Sequence, residues 1–120
     1  MDYQNGVRQW MLLCFGEVIA ADTVERNHRF LEEALELVQA LGCSKAEALQ
    51  LVDYVFDRPV GEPGQEVGGV MVCLAALCNA HRMSMKQEGE RELARISQFD
   101  VLGKIRAKQA AKPKFSALPA

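Results

Sequence analysis

Residues 42 to 47, Gly-Cys-Ser-Lys-Ala-Glu, give the backbone two opposite instructions in close succession. Gly42 ends a stretch whose apolar residues recur every three to four positions, at the C′ place where glycine turns left-handed without a side-chain clash. Ser44 and Glu47 then have the Ser-x-x-Glu spacing of a capping box, which satisfies free amides at the start of the next helix. A stop followed at once by a start allows only a tight helix–helix connection, and similar punctuation recurs along the chain. Arg8 to about Ala21 is apolar at helical spacing. A second helix starts near Asp22 or Thr23 and runs to the Gly42 stop. A third leaves the Ser44 cap and ends near Phe56. The stretch "RPVGEPG", residues 58 to 64, has two prolines and two glycines and reads as a loop. A fourth helix is expected from about Gln65 to His81, and a fifth from a Ser84 cap to Lys108 or Gln109. Nothing alternates with period two, and β-branched residues never cluster as a strand requires. The spacing therefore predicts an all-α bundle of about five helices, one domain over residues 1–108, with a flexible, basic, proline-containing tail over 109–120.

Composition works mostly by exclusion. Apolar residues are 49% and charged residues 25%, ordinary for a globular chain, and a formal charge of −2 gives no general attraction to nucleic acid. The apolar run "WMLLCFGEVIAA" is interrupted by Glu17, is too short to cross a bilayer, and follows no basic leader. A cytoplasmic protein without a membrane partner is expected. Cys14, Cys43, Cys73 and Cys78 have no metal-site spacing and read as reduced, core-filling thiols. Trp10, Phe15 and Phe30 also read as core. The segment "KIRAKQAAKPK", residues 104 to 114, has five basic residues and no acid. A helix C-terminus favours such charge through its dipole, which makes a solvated basic end the simplest expectation. Lys104 is the residue there best placed to meet a phosphate.

The acids are distributed less evenly. "RNHRFLEEALELVQALG", residues 26 to 42, puts Glu32, Glu33 and Glu36 on an otherwise oily helix. On a helical wheel Glu36 lies about 40° and Glu33 about 100° from Glu32. Glu25 and Asp22 share this edge, and Arg29 sits among the acids as an ion-pair partner. Repulsion between exposed carboxylates one turn apart costs only a few tenths of a kcal/mol, so a solvated acidic face accounts for this helix taken alone. Glu25 and His28 have the Glu-x-x-His spacing of di-iron bundles, but a second such pair is required and His81 has Cys78 where its glutamate would stand. Glu66 is different. It shares a wheel sector with Val70, Cys73 and Leu77, and a carboxylate on an apolar stripe calls for pairing, protonation or a cation. Combined with Glu33 and Glu36, it would make an oxygen-rich site suited to a hard divalent ion.

"LEEALEL" followed by "EVGGVMVCLAALCNAHRMSM" resembles the MazG-like nucleoside triphosphate pyrophosphohydrolases of the all-α NTP-pyrophosphatase superfamily, over about residues 20 to 108. Glu32, Glu33 and Glu36 match that family's Glu-Glu-x-x-Glu motif, Glu66 begins its Glu-x-x-Asp motif, Asn79 matches a later asparagine, and Lys104 and Lys108 match a basic end. The resemblance implies hydrolysis of a (deoxy)nucleoside triphosphate to the monophosphate and pyrophosphate. It implies Mg²⁺, or Mn²⁺ in its place, held by Glu33, Glu36 and Glu66. Glu32 and Glu33 are then the catalytic pair, and Asn79, Lys104 and Lys108 bind substrate. It also implies a homodimer or homotetramer whose assembly completes the core. One position departs: Gly69 stands where the family has the aspartate. Two other expectations stay open beside the enzyme, a catalytically impaired relative that binds nucleotide or metal, and a non-enzymatic helical interaction protein.

Overall fold

The computed structural model describes residues 2–118, and among them it is all-α. Six helices follow one another: α1 (Tyr3–Ala21), α2 (Thr23–Ala40), α3 (Lys45–Phe56), α4 (Pro63–Ala80), α5 (Met85–Ile96) and α6 (Phe99–Ala111). The local chemistry of their ends is plain. Asp2 caps α1 by accepting from the Asn5 amide at 2.8 Å. The Asp22 carboxylate accepts from the Glu25 amide at 2.9 Å where α2 begins. Gly42, at φ 96°, ends α2, with its own amide donating to Gln39 and the next amide, of Cys43, to Val38. Ser44 and Glu47 then form both halves of the expected capping box, at 3.1 and 2.8 Å. Glu62, rather than a residue nearer Gln65, opens α4: its carboxylate accepts from the amides of Gly64 and Gln65, and Pro63 takes the first helical position.

Two features correct the expected helices. The single fifth helix is two, α5 and α6. Ser97 turns its hydroxyl back onto the Leu93 carbonyl at 2.6 Å, a bond that competes with the helical ladder, and Gln98 goes extended. The helix α1 is also broken internally at Gly16, whose φ of 82° and ψ of 175° belong to a region that only glycine occupies readily. Carbonyls released near the break are taken up by Arg106 of α6, whose Nε donates to Cys14 at 2.7 Å and Nη2 to Leu13 at 3.2 Å. An alanine at this position meets no neighbouring atom, so its penalty is purely conformational. Gly16→Ala is expected to lower stability by about 2 kcal/mol, read as a fall in the urea midpoint at fixed protein concentration.

The chain divides into two compact units, one of residues up to 27 and from 82 onward, the other His28–His81. In the first, α1, α5 and α6 pack on one another. Trp10 meets Phe15 edge to face at 5.7 Å and donates its indole N–H to the Ile96 carbonyl at 2.8 Å, so both aromatics serve the core as expected. Tyr3 donates to the Gly89 carbonyl at 3.0 Å. Cys14, Leu102, Glu25 and Gln109 are buried here. The basic stretch stays largely at the surface, with Lys104, Arg106, Lys108 and Lys114 exposed, while Arg106 is engaged as described and Lys114 donates to the carbonyls of Gln109 and Lys112.

The second unit has no comparable interior. Its helices, the greater part of α2 with α3 and α4, do not pack on one another along their lengths. Cys78 is the one buried residue described in it. Every residue from 49 to 73 is exposed. Phe30, expected in a core, is 54% exposed, and Phe56 is 83% exposed. All four cysteines are free thiols. No single described helix is long and apolar enough to cross a membrane.

Three helix-capping carboxylates tie stability to pH. Asp22, Glu47 and Glu62 are held below their ordinary values of 3.8, 4.5 and 4.5, first by the backbone amides of Glu25, Ser44 and Gly64 respectively. A depressed folded value means the unfolded chain takes up protons first. The contribution is therefore complete above the ordinary values and is lost as pH falls through the folded ones. Thermal denaturation is expected to change little down to about pH 5 and to weaken progressively below about 4.5. Tm rising with acidification across that window is the contrary result.

Candidate functional site

Helix α2 carries Glu32 and Glu33 side by side and Glu36 one turn on, because its leucines and Phe30 occupy the other side of the wheel. Glu33 and Glu36 are exposed and Glu32 is half-buried. Arg29 lies 3.2 Å from Glu32 through its Nη1, the i,i+3 ion pair that the spacing led one to expect. Glu66 stands in the first turn of α4, where its charge complements the helix dipole. Its carboxylate leans back over the preceding loop: a Cβ built on Gly61 would lie 2.5 Å from Glu66 Oε1. Asn79 is exposed in the last turn of α4. These five residues share the second unit, whereas Lys104 and Lys108 are exposed on α6 in the first.

The four carboxylates thus sit on two helices of one unit, but they do not converge. Among the described residues no group of three or more His, Cys, Asp or Glu side chains is placed to hold a metal ion. A Mg²⁺ ion bound by one chain alone does not fit this arrangement, because octahedral coordination near 2 Å needs those oxygens together. Gly69, where the family pattern has an aspartate, has open space beside it, with nothing within 4 Å of a Cβ.

Glu25, placed by the wheel on the acidic edge, is instead the largest fully buried side chain described, at 1% exposure. Gln109 of α6 donates its amide to the Glu25 carboxylate, and Arg26 Nη2 lies 3.7 Å from it. A wheel drawn for one helix carries no information about an incoming partner, and a glutamine in a basic stretch gives no signal that it is one. A cavity of about 280 Å³ in the first unit is lined by Cys14, Phe15, Arg106, Gln109 and Lys114 among others. Burial pushes the Cys14 thiol up, with Arg106 opposing the shift, so Cys14 is a poor nucleophile at neutral pH. None of the residues singled out from the sequence as catalytic, metal-binding or substrate-binding lines this cavity.

Compared with family models, curated proteins and solved structures, the chain has no match.

Proposed function

We infer that this chain is a nucleotide pyrophosphohydrolase, acting on (deoxy)nucleoside triphosphates with Mg²⁺ or Mn²⁺. The observation that carries this is the shared unit: Glu32, Glu33, Glu36, Glu66 and Asn79 all belong to His28–His81, on α2 and α4, in the order of the motifs they resemble. In the reaction, a water oxygen bonds to the α-phosphorus and the bridging oxygen departs with pyrophosphate, which keeps the electron pair of the broken bond. The water's proton passes to a base, and Glu32 and Glu33 are the carboxylates assigned to accept it and hold the water. Asn79 is assigned to the sugar or phosphates. Cation dependence requires α2 and α4 to bring Glu33, Glu36 and Glu66 together, which the separated helices of one chain do not do. The bare faces of the second unit leave room for that approach.

The test is product analysis over a panel of ribo- and deoxyribonucleoside triphosphates with Mg²⁺ and with Mn²⁺, with Glu36→Gln beside the wild type. Monophosphate and pyrophosphate from the wild type alone are expected. Turnover that survives Glu36→Gln unchanged removes the carboxylates from the chemistry. A second reading, a relative that binds nucleotide without hydrolysing it, is favoured by one observation, Gly69. The open space there accepts a carboxylate, so Gly69→Asp discriminates. Turnover appearing only in that variant identifies an impaired site, and little change means that the native site does not need the residue.

A further inference from the structure

We propose that the cavity lined by α1, α6 and the chain that follows α6 is a binding site for a small organic carboxylate, an acid group carried on an apolar body. The whole lining lies in the first unit and shares no residue with the carboxylates of α2 and α4, so the site stands whether or not the chain is a hydrolase.

The lining follows from local structure. Gly16 breaks α1 between Phe15 and Ile19, and both of those side chains line the cavity. On α6, Arg106, Gln109 and Ala110 fall three and four positions apart, share one face and supply a second wall. Beyond α6 the chain turns back where Lys114 donates to the carbonyls of Gln109 and Lys112, and Leu118 joins the lining. Phe15, Ile19, Ala110 and Leu118 thus give the cavity apolar walls. Its volume of about 280 Å³ is the share of roughly nine molecules of liquid water. That is room for a ligand of about ten non-hydrogen atoms, and far too little for a nucleoside triphosphate.

The cations select the head group. Arg106 and Lys114 both line the cavity, and among the described residues neither is ion-paired with a carboxylate. Arg106 uses its Nε and one Nη2 hydrogen on the carbonyls of Cys14 and Leu13, which leaves the Nη1 edge of the guanidinium to donate. Lys114 uses two of its three ammonium hydrogens on backbone carbonyls. No described aspartate or glutamate lines the cavity. A carboxylate with an apolar tail answers both halves of the lining: its two oxygens take the charge-assisted bonds while its body leaves water. Inorganic phosphate has more oxygens than these donors serve and nothing to set against the apolar walls.

Calorimetric titration of the full chain with sodium octanoate, whose anion has that size, tests the proposal, with octanamide as its neutral counterpart. Octanoate is expected to bind at least about tenfold more tightly, because charge-assisted hydrogen bonds are roughly twice as strong as neutral ones. Intermolecular nuclear Overhauser effects should run from the octanoate chain to the Phe15 ring and to methyls of Ile19 and Leu118. Lys114→Met keeps the apolar stem, removes the charge, and should weaken octanoate about fivefold while leaving octanamide unchanged. Arg106→Gln should weaken octanoate about tenfold or more. If Arg106→Gln fails to fold, having lost its bonds to α1, then Lys114→Met and the comparison of acid with amide decide. Equal affinity for acid and amide overturns the proposal, as does no octanoate binding up to about 10 mM. Displacement of octanoate by equimolar inorganic phosphate also overturns it, since the site would then read a bare oxyanion. Effects on Val67 and Met71, exposed on α4, in place of Phe15 and Leu118 would assign the octanoate to a bare helix face and overturn it too.

Discussion

Glu25→Ala is expected to be strongly destabilising, by about 3 kcal/mol. The carboxylate is 1% exposed, so its desolvation cost is nearly complete and is offset by the groups around it. Gln109, itself 7% exposed, donates its amide to Glu25 Oε2, and Arg26 lies 3.7 Å away. Alanine removes the acceptor and leaves the Gln109 amide buried without it, which is the costly half of losing a buried hydrogen bond. Glu25→Gln keeps the shape and one acceptor and should recover a good part of the loss. A double-mutant cycle with Gln109→Leu separates the pair from the rest: coupling of about 1 kcal/mol or more is expected for two side chains in direct contact. A loss below about 0.5 kcal/mol, typical of a surface position, would contradict the burial described for Glu25.

Glu36→Gln is expected to act in the opposite way, large in turnover and negligible in stability. Glu36 is exposed, and Glu32 lies one turn before it at i,i+4. Removing one of two like charges at that spacing relieves a few tenths of a kcal/mol, so Tm should hold or rise slightly. If Glu36 helps neutralise the triphosphate through a divalent cation, its loss removes several kcal/mol from the transition state, about 100-fold or more in turnover. The contrast carries the interpretation. A fall in activity that tracks a fall in Tm would mean that Glu36 holds α2 in place and does no chemistry.

Much of the chain's local structure is legible in its residues, because caps are short-range devices. Gly42, Ser44 and Glu47 each do what their identity and spacing predict. The break between α5 and α6 is not legible in the same way. Ser97 and Gln98 carry neither glycine nor proline, and the hydroxyl that competes for the Leu93 carbonyl is common inside uninterrupted helices. Gly16 sits inside an apolar helical run, and only the Arg106 side chain, some ninety residues later, explains how its freed carbonyls are satisfied. The acidic face of α2 and its Arg29–Glu32 pair are legible because helical spacing brings them together. Glu25 reads wrongly for the converse reason, since its environment is made by α6. The candidate site is legible as a set of residues in order. Its geometry is not, because bringing Glu66 to Glu33 and Glu36 depends on packing that the second unit of one chain does not supply.

The most direct measurement of the central claim is hydrolysis of a nucleoside triphosphate in ¹⁸O-labelled water with Mg²⁺, with the products separated by mass. Attack at the α-phosphorus predicts label in the monophosphate, unlabelled pyrophosphate, and neither product above background with Glu36→Gln. Label in pyrophosphate, release of inorganic phosphate and a diphosphate, or no turnover with any triphosphate of the panel would contradict it.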